Sequence, residues 1–214
     1  MRRKARGQGV ERHGEILAAA KQLFIEPGYE AATMRKIAEA VGLTTTGVYI
    51  YFPTKESILA AIGQETFVEL IAELERARAS STDLLEAFRT SLRTYVEFGA
   101  ARPDEYRLAF MAKFIRPPSP GRRSSPLAKP EAATRSFAIL QEQVAALMAT
   151  GRFRSGDPLL VSEVVWASLH GMVALLIDHP GYPRSGATLA IDELVEQIVR
   201  GLLAPIAPAA ARPG

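Results

Sequence analysis

The chain has 214 residues, 48% of them apolar and 23% charged, enough to bury one large core or two small ones. It contains no cysteine, which excludes disulfides and thiolate zinc sites, and its three histidines, His13, His170 and His179, are too scattered to suggest a metal site. The net charge of +3 is concentrated at the start, where Arg2, Arg3, Lys4, Arg6 and Arg12 stand against Glu11 alone.

Residues 1–9 read as a flexible basic arm. Beside a DNA-binding unit such an arm contacts phosphates or the minor groove; otherwise it is a solubilising tail. The start lacks the hydrophobic stretch of a signal peptide, and no apolar run reaches the ~18 residues that would span a bilayer. The expectation is a cytoplasmic protein without membrane contact.

A first helix is predicted from about Val10 to Glu26, with Ile16, Leu17, Ala20, Leu23 and Phe24 on its buried face. Pro27-Gly28 ends it, and Tyr29 packs beneath the turn. Thr33 caps a second helix in which Met34, Ile37, Ala38 and Val41 share one face. Gly42 stops that helix in the left-handed conformation glycine tolerates best. Leu43 plugs the turn and Thr44 caps a third, short helix over residues 45–51. Val48 and Phe52 point inward from it, leaving Thr45, Thr46, Gly47, Tyr49 and Tyr51 outward. Two short helices joined by a tight glycine turn make a helix-turn-helix, whose second helix is shaped for a DNA major groove.

The run IAEAVGLTTTGVYIYFPTKESIL resembles the DNA-binding domain of the TetR family of bacterial transcriptional repressors. The matching residues are Ile37-Ala38, Val41-Gly42-Leu43-Thr44, Gly47, Val48-Tyr49-Ile50-Tyr51-Phe52 and Lys55-Glu56-Ser57-Ile58. Thr44 replaces a common serine and Ile58 a leucine. Ile50 stands where a polar or aromatic residue is usual, so one polar contact to DNA is lost there. The resemblance implies base contact at Thr45, Thr46 and Gly47, with Thr44 at the same surface. It implies phosphate contact at Thr33, Tyr49, Tyr51 and Lys55, joined by Arg2, Arg3 and Lys4 of the arm. The plainer alternative is that both tyrosines only cover the small core.

Thr54 is placed to cap a fourth helix, Lys55 to about Ala79, carrying Ile58, Leu59, Ile62, Phe67, Leu70, Ile71 and Leu74. Ser80-Ser81-Thr82 forms a loop ending in a cap, followed by a helix from Leu84 to about Ala101. Pro103 opens another, which holds Tyr106, Leu108, Phe110, Met111, Phe114 and Ile115. The proline-rich segment 116–130 reads as a mobile loop; its Arg122 and Arg123 either meet DNA or, as composition favours, stay solvated. Helix resumes at about Glu131 and stops at Gly151. Asp157-Pro158 opens a helix so apolar that it should be buried on almost its whole circumference. A last amphipathic helix runs from about Ala187 to Leu203, before an Ala/Pro tail, residues 205–214, that is expected to be disordered.

The architecture expected is therefore all-α, with about nine helices. A helix-turn-helix DNA-binding domain, residues 10–54, precedes a helical ligand-binding and dimerisation domain, residues 55–204. The string VVWASLHGMVALL resembles the W-X-X-X-H-G signature of one group of TetR-like C-terminal domains, with Trp166, His170 and Gly171 in the matching places. His170 either faces a ligand or is a core histidine satisfied by a neighbouring carbonyl, the second being favoured. Candidate ligand residues are Phe67, Phe88, Tyr95, Tyr106, Phe110, Phe114, Trp166 and His170, since apolar pockets are lined by such side chains.

The partners implied are an operator duplex, a second copy of the chain and a small-molecule inducer. No cofactor or metal is expected. The rival reading keeps the DNA binding and gives the C-terminal domain to a protein partner, or to dimerisation alone. An enzyme finds no support in residues: there are no paired histidines, no Ser-His-Asp spacing and no nucleotide loop.

Overall fold

The computed structural model describes residues 8–110 and 131–205. These contain nine helices and no strand: α1 (Gln8–Leu23), α2 (Met34–Ala40), α3 (Thr45–Tyr49), α4 (Lys55–Ala79), α5 (Leu84–Ala101), α6 (Pro103–Phe110), α7 (Glu131–Ala149), α8 (Pro158–Asp178) and α9 (Ala187–Leu202). The all-α expectation stands. Arg2, Arg3, Lys4, Phe114, Arg122, Arg123 and the tail beyond Pro205 lie outside the described residues.

The helix boundaries follow from local chemistry. α1 ends three residues earlier than expected, because Glu26 and Pro27 leave helical dihedrals within a wide turn, Phe24–Gly28. Thr54 and Ser57 cap the start of α4 reciprocally, each hydroxyl accepting the other's backbone N–H at 3.0 and 3.2 Å. Before α5 the cap is Asp83 rather than a residue of the preceding Ser/Thr run, its carboxylate accepting from Leu85 N at 2.9 Å. A carboxylate held there also favours the positive end of the helix dipole. Asp157 caps α8 in the same way, at 2.9 Å to Leu159 N, with Pro158 in the first turn.

Packing divides the chain into two units, Met1–Glu69 with Arg102–Thr134, and Leu70–Ala101 with Arg135–Gly214. The division thus falls inside α4 rather than before it. The reason is the first unit's core: Ile58, Leu59 and Ile62 of α4 and Leu108 of α6 are buried with Ile16, Leu17, Phe24, Tyr29, Ile37, Val48 and Phe52. In the second unit α5 packs on α8 and α9, which also touch each other. Phe88, Leu92, Val96, Val144, Leu147, Val173 and Val199 are among its buried side chains. Gln143 Nε2 donates to Ser91 Oγ at 3.0 Å, and Ser91 donates on to Ala87 O, so this polar pair is satisfied inside the core. Arg89 pairs with Glu196 at 2.7 Å and Arg93 with Asp192, fastening α9 to α5.

α8 departs from expectation. Its most apolar window has mean hydropathy 1.8, so by length and composition it could cross a membrane, although Ser162, Glu163, Ser168 and His170 interrupt any continuous apolar run. Yet only 22% of that window is buried within the chain, not nearly the whole circumference. Val165, Leu169 and Val173 face the core, while Leu160 and Val164 remain 58% and 60% exposed.

Candidate functional site

The helix-turn-helix is assembled by its two threonine caps. Thr33 Oγ1 accepts from Lys36 N at 3.2 Å and Thr44 Oγ1 from Gly47 N at 3.0 Å. Between them Gly42 adopts φ +65°, the left-handed conformation that ends α2, and Leu43 N returns to Ala38 O at 2.9 Å. Gly47 serves this turn too. A Cβ there would stand 3.3 Å from Thr44 Oγ1 and 3.6 Å from Leu43 Cβ, so a bare backbone lets the cap close.

The orientation of α3 is set by Val48, which is fully buried, and by Phe52, buried just beyond it and 4.5 Å from the His13 ring, centroid to centroid. Thr44, Thr46 and Tyr49 are exposed, while Thr45, Gly47 and Tyr51 are half-buried. Ile50 continues the helical backbone and is 74% exposed. A cleft of about 440 Å³ opens beside α3, lined by Glu11, Arg12 and Glu15 of α1 with Gly47, Ile50 and Tyr51.

Lys55 is only half-buried, but its ammonium is already engaged. It donates to Tyr29 O at 2.7 Å and Ala32 O at 3.0 Å, and lies 4.1 Å from the centre of the Tyr29 ring. Lys55 therefore fixes the chain just before Thr33. Two residues of this surface carry more in the fold than their sequence shows. Lys36, three positions after the Thr33 cap, is exposed and donates to Ala31 O at 2.9 Å. For Ile50 the sequence points only to the loss of a polar contact. Its helical spacing from the inward-facing Val48 was the signal available.

The aromatic candidates fall into separate groups. In the first unit, Tyr106 stacks on Phe110 at 4.3 Å between centroids, and Phe110 meets Phe67 at 4.6 Å. In the second, Trp166 Nε1 donates to Tyr95 OH at 3.0 Å, and the Trp166 ring stacks on His170 at 5.2 Å. Phe137 meets Trp166 edge-on at 6.4 Å. Burial pushes the His170 imidazole below its usual pKa, favouring the neutral ring. Phe88 has no exposed surface and packs edge-on against Phe153 at 5.3 Å. Among the described residues no cluster of His, Cys, Asp or Glu could hold a metal ion.

Comparison with known proteins gives this geometry a context. Residues 16–62 match the family described as bacterial regulatory proteins, tetR family, and residues 88–202 match the tetracyclin repressor-like C-terminal domain. The transcriptional activator FasR of Mycolicibacterium smegmatis is 29% identical over 108 residues, 50% of this chain and 49% of that protein. The transcriptional repressor AcnR of Corynebacterium diphtheriae is 37% identical over 65 residues, 29% of this chain and 34% of that protein. The chain thus spans half or less of these relatives' length. Among solved structures, AibR in complex with isovaleryl coenzyme A and operator DNA has a TM-score of 0.63 at 17% identity, covering 91% of this chain and 100% of AibR.

Proposed function

The chain belongs to the TetR family of bacterial regulatory proteins, and from that premise we propose that it is a repressor that binds a palindromic operator as a homodimer and is released by a small ligand. The observation that carries the reading is the outer face of α3, where Thr46, Tyr49 and Ile50 stand in solvent around the inward anchor Val48. In this reading Thr45, Thr46 and Gly47 meet base edges. Thr33, Thr44, Tyr49, Tyr51 and Lys55 hold the sugar-phosphate backbone, with Arg2, Arg3 and Lys4 adding to them. The work is done in the cytoplasm, without cofactor, membrane or catalysis.

Dimerisation is supported by the uncovered apolar side of α8, where Leu160 and Val164 would lose their exposure against a second copy. A two-fold pair would set the recognition helices about 34–36 Å apart, one turn of DNA, or a multiple of that. We read the ligand as apolar or amphipathic, from the Phe67–Tyr106–Phe110 group and the Tyr95–Trp166–His170 group. The occurrence of isovaleryl coenzyme A and operator DNA together on AibR supports this class of ligand. We also retain the likeness of Trp166, His170 and Gly171 to the W-X-X-X-H-G group.

The test is selection of bound duplexes from a random DNA pool, followed by titration of the enriched duplex with and without isovaleryl coenzyme A or a long-chain fatty acid. Enrichment of a two-fold symmetric sequence, and a ligand-dependent loss of affinity of about 5–150-fold, are expected. A ligand must bind the two arrangements unequally to act at all. Operator binding that no such ligand alters would leave the C-terminal domain as a dimer scaffold or a protein-partner site.

A further inference from the structure

The outer face of α3 contains a residue whose chemistry the family resemblance does not use. Ile50 is 74% exposed, and its backbone stays helical at φ −65°, ψ −33°, so the helical spacing of α3 extends to it. At 3.6 residues per turn, Thr46 and Ile50 lie four apart on one side, roughly opposite the buried Val48. These two side chains therefore share the exposed side of the helix turned away from Val48, with Ile50 at the edge of the cleft that Glu11, Arg12 and Glu15 line. Tyr49 stands beside them, and Gly47 adds no side chain that would hold a partner surface away.

Ile50 has no donor or acceptor and cannot read a base by hydrogen bonding. In the major groove only thymine offers an apolar group, its 5-methyl, whereas cytosine and adenine present amino donors that an isoleucine would strip of water. Thr46 carries a methyl as well as a hydroxyl, so both side chains on this exposed side end in methyl groups. Resting on the DNA-binding reading above, we infer that Ile50, together with the Thr46 methyl, is a specificity-determining contact for thymine 5-methyl groups in each half-site.

The experiment uses the full chain and the duplex enriched from a random pool. Each thymine is replaced in turn by deoxyuridine, which removes the 5-methyl and leaves base pairing intact. At one thymine per half-site the replacement should weaken binding about fourfold, the worth of one buried methyl group. In Ile50→Ala that penalty should vanish while penalties at other thymines persist; Ile50→Leu should retain it. Thr46→Ser, which deletes only a methyl, should erase the penalty at a neighbouring thymine. Because Ile50 is exposed, the alanine variant should fold, and an unchanged thermal midpoint checks this. Two results would overturn the assignment: no deoxyuridine penalty anywhere, or penalties that Ile50→Ala leaves intact. Failure to enrich any sequence would remove the DNA-binding reading itself, and this contact with it.

Discussion

Lys21 Nζ donates to Glu105 Oε1 at 2.6 Å, joining α1 to α6 across 84 residues of sequence. Burial acts to raise the Glu105 carboxyl, but the hydrogen bond from Lys21 and the nearby positive charges of Lys21 and Arg102 outweigh it and hold the group below the usual carboxylate range. Leu108, one helical turn further along α6, is 3% exposed in the same core as Ile16 and Leu17. α6 is thus built into the unit that carries the recognition helix.

Loss of this tie should be felt as stability. Leu108→Ala should cost about 2–5 kcal/mol, as a core truncation does. Glu105→Gln should cost less, up to about 1 kcal/mol, because both partners of the pair are about a third exposed. A carboxyl depressed in the folded state stabilises above its unfolded pKa, and that contribution disappears as pH falls through the folded value. Urea unfolding near pH 7 should therefore separate Glu105→Gln from the parent, and the gap should shrink as pH falls below the ordinary carboxylate range. A gap that persists in acid would mean the ion pair is not its source.

The Thr44 cap and Gly47 should be coupled. Thr44→Ala should cost about 1 kcal/mol, and Thr44→Ser much less. Gly47→Ala places a methyl 3.3 Å from Thr44 Oγ1, which pushes the cap away from the N–H it accepts. The double variant should then lose less than the sum of the two single changes, since alanine at 47 has no hydroxyl left to displace. Additive losses in a denaturant titration would show that the turn relaxes by another route.

Lys55 should matter twice. Its two bonds to Tyr29 O and Ala32 O and its place over the Tyr29 ring make Lys55→Ala a stability change of about 1–3 kcal/mol. It should also weaken binding to operator and random DNA alike and flatten the salt dependence. Thr45→Ala and Thr46→Ala should leave the thermal midpoint nearly unchanged and act on sequence preference. A Lys55→Ala protein as stable as its parent would leave the phosphate role standing alone.

The contrast between these residues shows what the sequence makes legible. The caps at Thr33, Thr44 and Thr54 and the stop at Gly42 are set by neighbours within three or four positions, and spacing reveals them. The Lys55 contacts lie 23 and 26 residues away and the Lys21 contact 84 away, distances at which no local pattern operates. α8 fails differently: hydropathy records that its surface is apolar, not which molecule covers it. The aromatic candidates share only their residue type, and type does not distinguish Phe88, packed in the core, from Phe110, half-buried in a ring stack.

The open side of α8 gives a prediction about assembly. Leu160→Glu with Val164→Glu places two charges where 58% and 60% of the side chains now face water, so neither change disturbs the chain's own core. If this face pairs with a second copy, each charge is carried into the interface without a partner, and the dimer should dissociate. Sedimentation at micromolar concentration should show a dimer for the parent and a folded monomer for the variant. A monomeric parent would remove the homodimer reading, and a variant that remains dimeric would move the interface elsewhere.

The stacked pair Trp166 and His170 gives a pH dependence whose sign is determined. Burial lowers the His170 pKa in the folded protein, so the folded state resists protonation while the unfolded chain takes a proton near the ordinary value of about 6.5. Above that pH both states hold a neutral ring, and the residue contributes no slope. As pH falls below it, the unfolded state binds a proton the folded state refuses, and stability declines until the folded imidazole also titrates. Trp166 is the only tryptophan and stacks on the ring at 5.2 Å, so its fluorescence reports unfolding of this region directly. Urea midpoints followed through Trp166 should drop between about pH 6.5 and pH 5 in the parent, and His170→Gln should remove much of that slope. An identical slope in the variant would assign the pH dependence to other groups and leave His170 as a packing residue.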